Sequence, residues 1–134
     1  MIDKKEMQRL LDKAKEARKN AYSPYSHFSV GAALLCNDGR VYLGCNVENA
    51  SFTPTCCAER VAFFSAIADG ERGFSAIAVA GGKAPCMPCG VCRQVMSEFC
   101  RDDFTVIFEG DKGEADSLTL GELLPHSFGL EEKK

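Results

Sequence analysis

The sequence predicts an α/β protein built as one three-layer α/β/α domain, and three observations carry that prediction. Helical stripes and short strand-like runs follow one another in the order α-β-β-α-β-α-β-(α), which packs as a sheet between two helical layers. The 134 residues suit one domain, spanning 1–134, and leave no room for two of ordinary size. Hydrophobic residues make up 46% and charged residues 26%, globular values that exclude a disordered chain.

Met7, Leu10, Leu11, Ala14, Ala17 and Ala21 recur at helical spacing among Lys, Glu, Arg and Gln, so a first amphipathic helix is expected over about residues 3–20, ending before Ser23-Pro24. Ser29–Leu35 and Val41–Asn46 read as strands joined by Asn37-Asp38-Gly39-Arg40, whose residue types favour a tight hairpin turn. Asn49–Thr55 is a polar connection. The segment CAERVAFFSAIA, Cys57 to Ala68, reads as a buried helix stopped by Asp69-Gly70. SAIAVA, Ser75 to Ala80, suits a central strand. Lys83–Gly90 is a loop with two prolines, CRQVMSEFC a third helix, and Phe104–Phe108 a further strand. Residues 118–125 suggest a short helix ended by Pro125, and a charged tail at about 130–134 should fray.

Sixteen Lys and Arg stand against nineteen Asp and Glu, a net charge of −3, so the chain lacks the basic footprint a nucleic-acid partner requires. No apolar run approaches the roughly 20 residues of a membrane span, and MIDKKEMQRL starts a charged helix rather than a signal peptide. A cytoplasmic protein with no membrane partner is expected.

Eight cysteines are unusual for such a chain: Cys36, Cys45, Cys56, Cys57, Cys86, Cys89, Cys92 and Cys100. In a reducing compartment clustered cysteines more often serve as metal ligands or catalytic groups than as disulfides. Cys57 and the Pro88-Cys89-Gly90-Val91-Cys92 run each open a helix, where free amides and the helix dipole favour thiolates. Cys89 and Cys92, three apart, reach one ion from a single helical face. With Cys57 they make three sulfur ligands and leave a fourth position for water, the pattern of a catalytic zinc site. Glu59, two residues from a ligand, can face that water and carry protons without binding the metal. A closed structural site of Cys57, Cys86, Cys89 and Cys92 is the main alternative, and it leaves Glu59 without a purpose. A thioredoxin-type pair at Cys89 and Cys92 is weakened by the third cysteine, and an iron–sulfur run by Met96 at its fourth position. Cys36, Cys45 and Cys100 read as small buried residues, and Cys56 as a non-ligand.

Together, Cys57-Ala58-Glu59 and Pro88-Cys89-x-x-Cys92 form the zinc nucleobase-deaminase signature, with Cys57 where a His can stand. YSPYSHFSVGAAL, NVENASF, CAER, PCGVCRQ and ELLPHSF, in that order, resemble the small homotetrameric cytidine deaminases over nearly the whole chain. The resemblance implies a cytidine-deaminase-like domain with a mixed central sheet and one Zn2+ per chain. It implies hydrolysis of free cytidine and deoxycytidine to uridine and deoxyuridine in pyrimidine salvage, with ammonia released. By position, Cys57, Cys89 and Cys92 look like the zinc ligands and Glu59 like the proton shuttle. The Ala58 amide falls where the pyrimidine O2 is held, and Phe28 where an aromatic packs on the base. Asn46 and Glu48 match the pair that bonds the ribose 3′-hydroxyl, and Phe128 an aromatic closing a neighbouring subunit's site in a homotetramer. Arg60 resembles the arginine that offsets the charge of three thiolates.

Phe52 stands where a tyrosine is common, and Cys86-Met87 where small or polar residues are usual. Deaminases of nucleoside antibiotics share the metal motifs but differ over the segment corresponding to 46–52. A polynucleotide-editing deaminase or a zinc-stabilised binding module conflicts with the acidic charge. On strand geometry, Asn46 and Glu48 should face one side, with Val47 turned into the core, forming an amide–carboxylate receptor for one hydroxyl.

Overall fold

In the computed structural model, which describes residues 2–130, the Asp3 carboxylate accepts the Glu6 amide at 2.8 Å and caps α1 (Lys4–Ala17). Met7, Leu10, Leu11, Ala14 and Ala17 of the predicted stripe are buried, while Ala21 lies past a 3-10 turn over Arg18–Asn20 that ends the helix and is only half-buried. The chain continues as β1 (Gly31–Cys36), β2 (Val41–Cys45), α2 (Ala58–Ala68), β3 (Phe74–Ala80), α3 (Gly90–Phe99), β4 (Thr105–Glu109), β5 (Ala115–Thr119) and α4 (Leu120–Leu123). The hairpin forms where expected, with the Cys36 amide donating to the Arg40 carbonyl at 2.8 Å.

The sheet is ordered β2-β1-β3-β4-β5 and is mixed. β3 and β4 are parallel, joined through α3, and the other neighbours are antiparallel. Alternation along the strands sends residues to two cores. Ala33, Leu35, Ala76, Ala78 and Ile107 pack under α1, while Ala32, Leu34, Ile77 and Val106 pack with α2, α3 and α4. On that second face Phe63 of α2 meets Phe74 at 5.1 Å between ring centroids and Phe104 at 6.1 Å. Phe63 is fully buried, and truncating it to alanine would cost about 3–5 kcal/mol.

Four expectations need correction. β5 was not anticipated: its sequence, Ala-Asp-Ser-Leu-Thr, has no apolar run because it pairs only with β4 at the sheet edge. The predicted helix over 118–125 shrinks to four residues, started by a reciprocal cap between Thr119 and Glu122. β1 begins at Gly31 rather than Ser29, since side chains capture the preceding backbone: Arg18 Nε donates to the Ser29 carbonyl at 2.7 Å, and the Val30 amide donates to Asn46 Oδ1 at 2.9 Å. α2 buries one face only, and Phe64 on its outer face is 48% exposed. The charged tail at 131–134 lies outside the described residues.

Pairing places one end of the sheet apart. Gly31 is opposite both Cys45 and Ala80, so β1 begins where β2 and β3 end, and the connections to α2 and α3 leave from there. Gly44 lets α2 settle directly on β2: a Cβ there would stand 2.2 Å from the Ala58 carbonyl oxygen and 2.6 Å from the Ala62 amide nitrogen. Among the described residues no helix is long and apolar enough to cross a membrane.

Candidate active site

Cys57 occupies the N-cap of α2 and Cys89 the N-cap of α3, with Cys92 one turn further on. The ends of β2 and β3 therefore bring three sulfurs together: Cys57 Sγ to Cys89 Sγ is 3.7 Å, Cys89 Sγ to Cys92 Sγ is 3.5 Å, and all three lie within 4.8 Å of one another. Tetrahedral zinc with Zn–S bonds of about 2.3 Å requires sulfurs about 3.8 Å apart. The cluster fits that ion. Arg60 Nη2 donates to Cys57 Sγ at 3.3 Å, setting a positive charge against the sulfurs. A sulfur contact from Cys92, and then Arg60, hold the Cys57 thiol down at about 5 against burial. Cys92 moves the opposite way, mainly because it is the protonated partner in that contact.

Glu59 follows in the first turn of α2 and is only 4% exposed. Burial, more than any neighbouring charge, pushes its carboxyl up to about 7. A carboxylate in that range accepts and returns protons near neutrality.

Cys86 stands outside the sulfur cluster. A Cβ on Gly81 would meet Cys86 Sγ at 2.7 Å and Phe28 Cζ at 2.9 Å, so glycine leaves room for both that thiol and that ring. Burial pushes Cys86 up to about 11, with the Glu59 charge adding to it. Cys36 and Cys100 are likewise raised by burial, to about 11 and about 12. Cys56 pairs through its backbone with Val47, and its thiol too is raised by burial.

Asn46, Glu48 and Phe28 are brought together in a way the strand pattern did not anticipate. Val47 is 43% exposed and does not enter the core. Beyond β2 the chain leaves the sheet and runs between Tyr22 and Cys56 in isolated bridges, so the pleat no longer has a core beneath it. Asn46 and Glu48 bind the 25–30 backbone. Asn46 Nδ2 donates to the Phe28 carbonyl at 2.8 Å, and Asn46 Oδ1 accepts from Val30. Glu48 Oε1 accepts the amides of Tyr25 and Ser26 at 3.0 and 3.1 Å, and Oε2 accepts the Ser26 hydroxyl. The hydroxyl chiefly, and then the amides, hold the Glu48 carboxyl below its ordinary value. Glu48 thus caps a turn, whereas the sequence alone suggests that it contributes nothing obvious to one. Ser26 was missed as a participant, although its place two residues before Phe28 was the available signal. Beside it a cavity of about 270 Å³ is lined by Tyr25, Ser26, Glu48, Asn49, Phe52 and Thr55. Phe128 is 67% exposed, its carbonyl accepting from Gln94 Nε2 at 3.1 Å.

Residues 4–108 match the family described as the cytidine and deoxycytidylate deaminase zinc-binding region. The chain is 48% identical over 128 residues to a cytidine deaminase of Sporosarcina psychrophila, covering 95% of this chain and 94% of that one. It is 50% identical over 126 residues to one of Halalkalibacterium halodurans, covering 93% and 96%. Among solved structures it is similar to the cytidine deaminase of Burkholderia pseudomallei, with a TM-score of 0.85 and 50% identity, covering 90% of this chain and 98% of that one. The Mycobacterium tuberculosis enzyme gives a TM-score of 0.79 at 41% identity, covering 92% and 97%.

Proposed function

The chain belongs to the cytidine deaminase family, and from that premise we infer that it hydrolyses free cytidine and deoxycytidine to uridine and deoxyuridine, releasing ammonia. The observation that carries the reading is the three-sulfur cluster at two helix N-termini with a buried carboxylate two residues from one sulfur. Cys57, Cys89 and Cys92 would hold one Zn2+. Zinc held there supplies Lewis-acid activation of water at neutral pH.

The chain's own groups do the rest. Glu59 takes a proton from the attacking water, places it on pyrimidine N3, and returns another to the departing amino group. Water contributes the carbonyl oxygen and ammonia carries away the exocyclic nitrogen, so the step balances without a redox partner. The Ala58 amide belongs to the first turn of α2, where amides have no partner within the helix, and it donates to the pyrimidine O2. Phe28 packs on the base. Three thiolates and one Zn2+ sum to a charge of −1, and the Arg60 guanidinium on Cys57 Sγ offsets it.

Asn46 and Glu48 bound the sugar edge. Asn46 Nδ2 retains a second hydrogen, and Glu48, accepting three bonds, has about one of a carboxylate's four lone-pair positions left. Those remainders suit a single sugar hydroxyl and set a like charge against a phosphate placed there. We assign the protein to pyrimidine salvage in the cytoplasm, where eight unpaired thiols stay reduced. Tyr22, Tyr25, Phe52, Phe64 and Phe128 are each exposed, aromatic side chains of the kind association covers, and Phe128 closes a neighbour's site in a homotetramer. Sedimentation at assay concentration checks this, and a fully active monomer would refute it. The activity itself is tested by the loss of cytidine absorbance on adding purified protein, with uridine confirmed chromatographically; unchanged cytidine would defeat the reading.

A further inference from the structure

Phe28 precedes the sheet, and its ring must be held in place by something other than a strand. The ring lies against Gly81 and Gly82, over the connection that leads from β3 to Cys89: a Cβ built on Gly82 would stand 3.6 Å from Phe28 Cε1. The residue is 40% exposed, so packing alone does not fix it.

Its backbone, in contrast, is tied at both ends. The carbonyl accepts from Asn46 Nδ2 at 2.8 Å, and the amide donates to Ser26 Oγ at 3.0 Å. A hydroxyl has one hydrogen, and that of Ser26 goes to Glu48 Oε2, leaving a lone pair for the Phe28 amide. Ser26 therefore links an anchored carboxylate to the residue that carries the ring. The carboxylate is itself well placed, because the Tyr22 amide donates to the Asn46 carbonyl and the Glu48 amide to the Tyr22 carbonyl, each at 2.9 Å. Between Ser26 and Phe28, His27 sits at φ 58°, a left-handed conformation that costs a non-glycine residue free energy and persists only when its surroundings impose it. Here the His27 amide donates to the Ser23 carbonyl at 3.0 Å, and the bonds from Ser26 and Glu48 hold the same turn from its other side.

We propose that Ser26 is a positioning residue of the base pocket, its hydroxyl relaying the Glu48 carboxylate to the Phe28 backbone so that the ring stands where the pyrimidine binds. The proposal rests on the reading of Phe28 as the wall of that pocket. Removing the hydroxyl leaves the Phe28 amide without its acceptor, so the ring is no longer tied to the turn that the His27–Ser23 bond keeps and can shift away from Gly81. Threonine keeps the hydroxyl and alanine does not.

The test is steady-state deamination of cytidine and 2′,3′-dideoxycytidine by the wild-type protein, Ser26→Ala and Ser26→Thr, with a melting curve for each. Because the ring contacts the base, Ser26→Ala should raise KM by about tenfold on both nucleosides while kcat stays within about threefold. Its melting temperature should be unchanged, and Ser26→Thr should recover most of the loss. An unchanged KM, a loss in kcat alone, or a threonine variant as impaired as alanine would overturn the proposal. So would a loss confined to cytidine, since the hydroxyl would then be serving the sugar contact of Glu48. A wild-type protein inert on both nucleosides would remove the deaminase reading first, and the proposal with it.

Discussion

At the end of the sheet where α2 and α3 begin, three sulfurs lie within 4.8 Å of one another. At the opposite end, beside the turn of the β1–β2 hairpin, Cys36, Asp38 and Glu71 bring their ligand atoms equally close. The two groups look alike as lists of residues and differ in what surrounds them. The sulfurs of the first sit at two helix N-termini, and Arg60 donates to Cys57, whose thiol is held down at about 5 by a Cys92 sulfur contact and then by that guanidinium. In the second, burial and then the charges of Glu71 and Asp38 push the Cys36 thiol up to about 11. The Glu71 carboxyl is raised by burial and by its bond with Asp38, while the Asp38 carboxyl is lowered, chiefly by the Arg40 amide. Arg40 Nη1 already lies 3.7 Å from Glu71 and 3.5 Å from Asp69. Proximity of donor atoms is therefore not enough to make a metal site. The first cluster is prepared for a cation; the second is a protonated core thiol beside carboxylates that an arginine already serves.

The largest way to break this contrast is to remove a sulfur. Cys57→Ala and Cys92→Ala should each lose bound zinc and all measurable cytidine turnover, and an active, zinc-replete Cys57→Ala protein would show the metal held elsewhere. Next comes the carboxylate. Glu59→Gln should keep its zinc and lose about 10²–10⁴-fold in kcat, the range of general acid–base catalysis. Turnover near the wild-type rate would transfer the proton role to another group. The smallest effect belongs to the distal cluster. Cys36→Ala should leave zinc content and kcat unchanged and cost about 1 kcal/mol of stability, as loss of a small core group does. In a domain of this size that lowers Tm by about 4 °C. A fall in zinc content would mean the distal cluster takes part in metal binding.

The same contrast explains what the sequence disclosed. The sulfur cluster was legible because spacing on a helix is a fixed geometry: Cys89 and Cys92 share a face wherever that helix is placed, and CAE repeats the arrangement at a second helix start. Among the described residues, six of the nine helices and strands, β1, β2, α2, β3, α3 and β4, lay within about two residues of their predicted limits for a related reason, strong apolar periodicity or clear stop signals. α1 fell three short only because its last turn is a 3-10 one. β5 was hidden because an edge strand with Asp116 and Ser117 carries no such signal. The orientation of Val47 was misread because period-two alternation holds only while the strand stays in the sheet, and the chain has left it by then. The turn held by Glu48 was illegible for a different reason. Its partners, Tyr25 and Ser26, lie more than 20 residues away, and no local pattern reports a contact of that range.

The central claim is that one zinc per chain is held by Cys57, Cys89 and Cys92, with Cys86 and Cys36 outside its reach. The most direct test is metal analysis of purified wild-type protein alongside Cys89→Ala, Cys86→Ala and Cys36→Ala, with folding of each confirmed by circular dichroism. The account predicts about one equivalent of zinc in the wild type, Cys86→Ala and Cys36→Ala, and none in Cys89→Ala. Zinc retained in Cys89→Ala, or lost from Cys86→Ala, would contradict it.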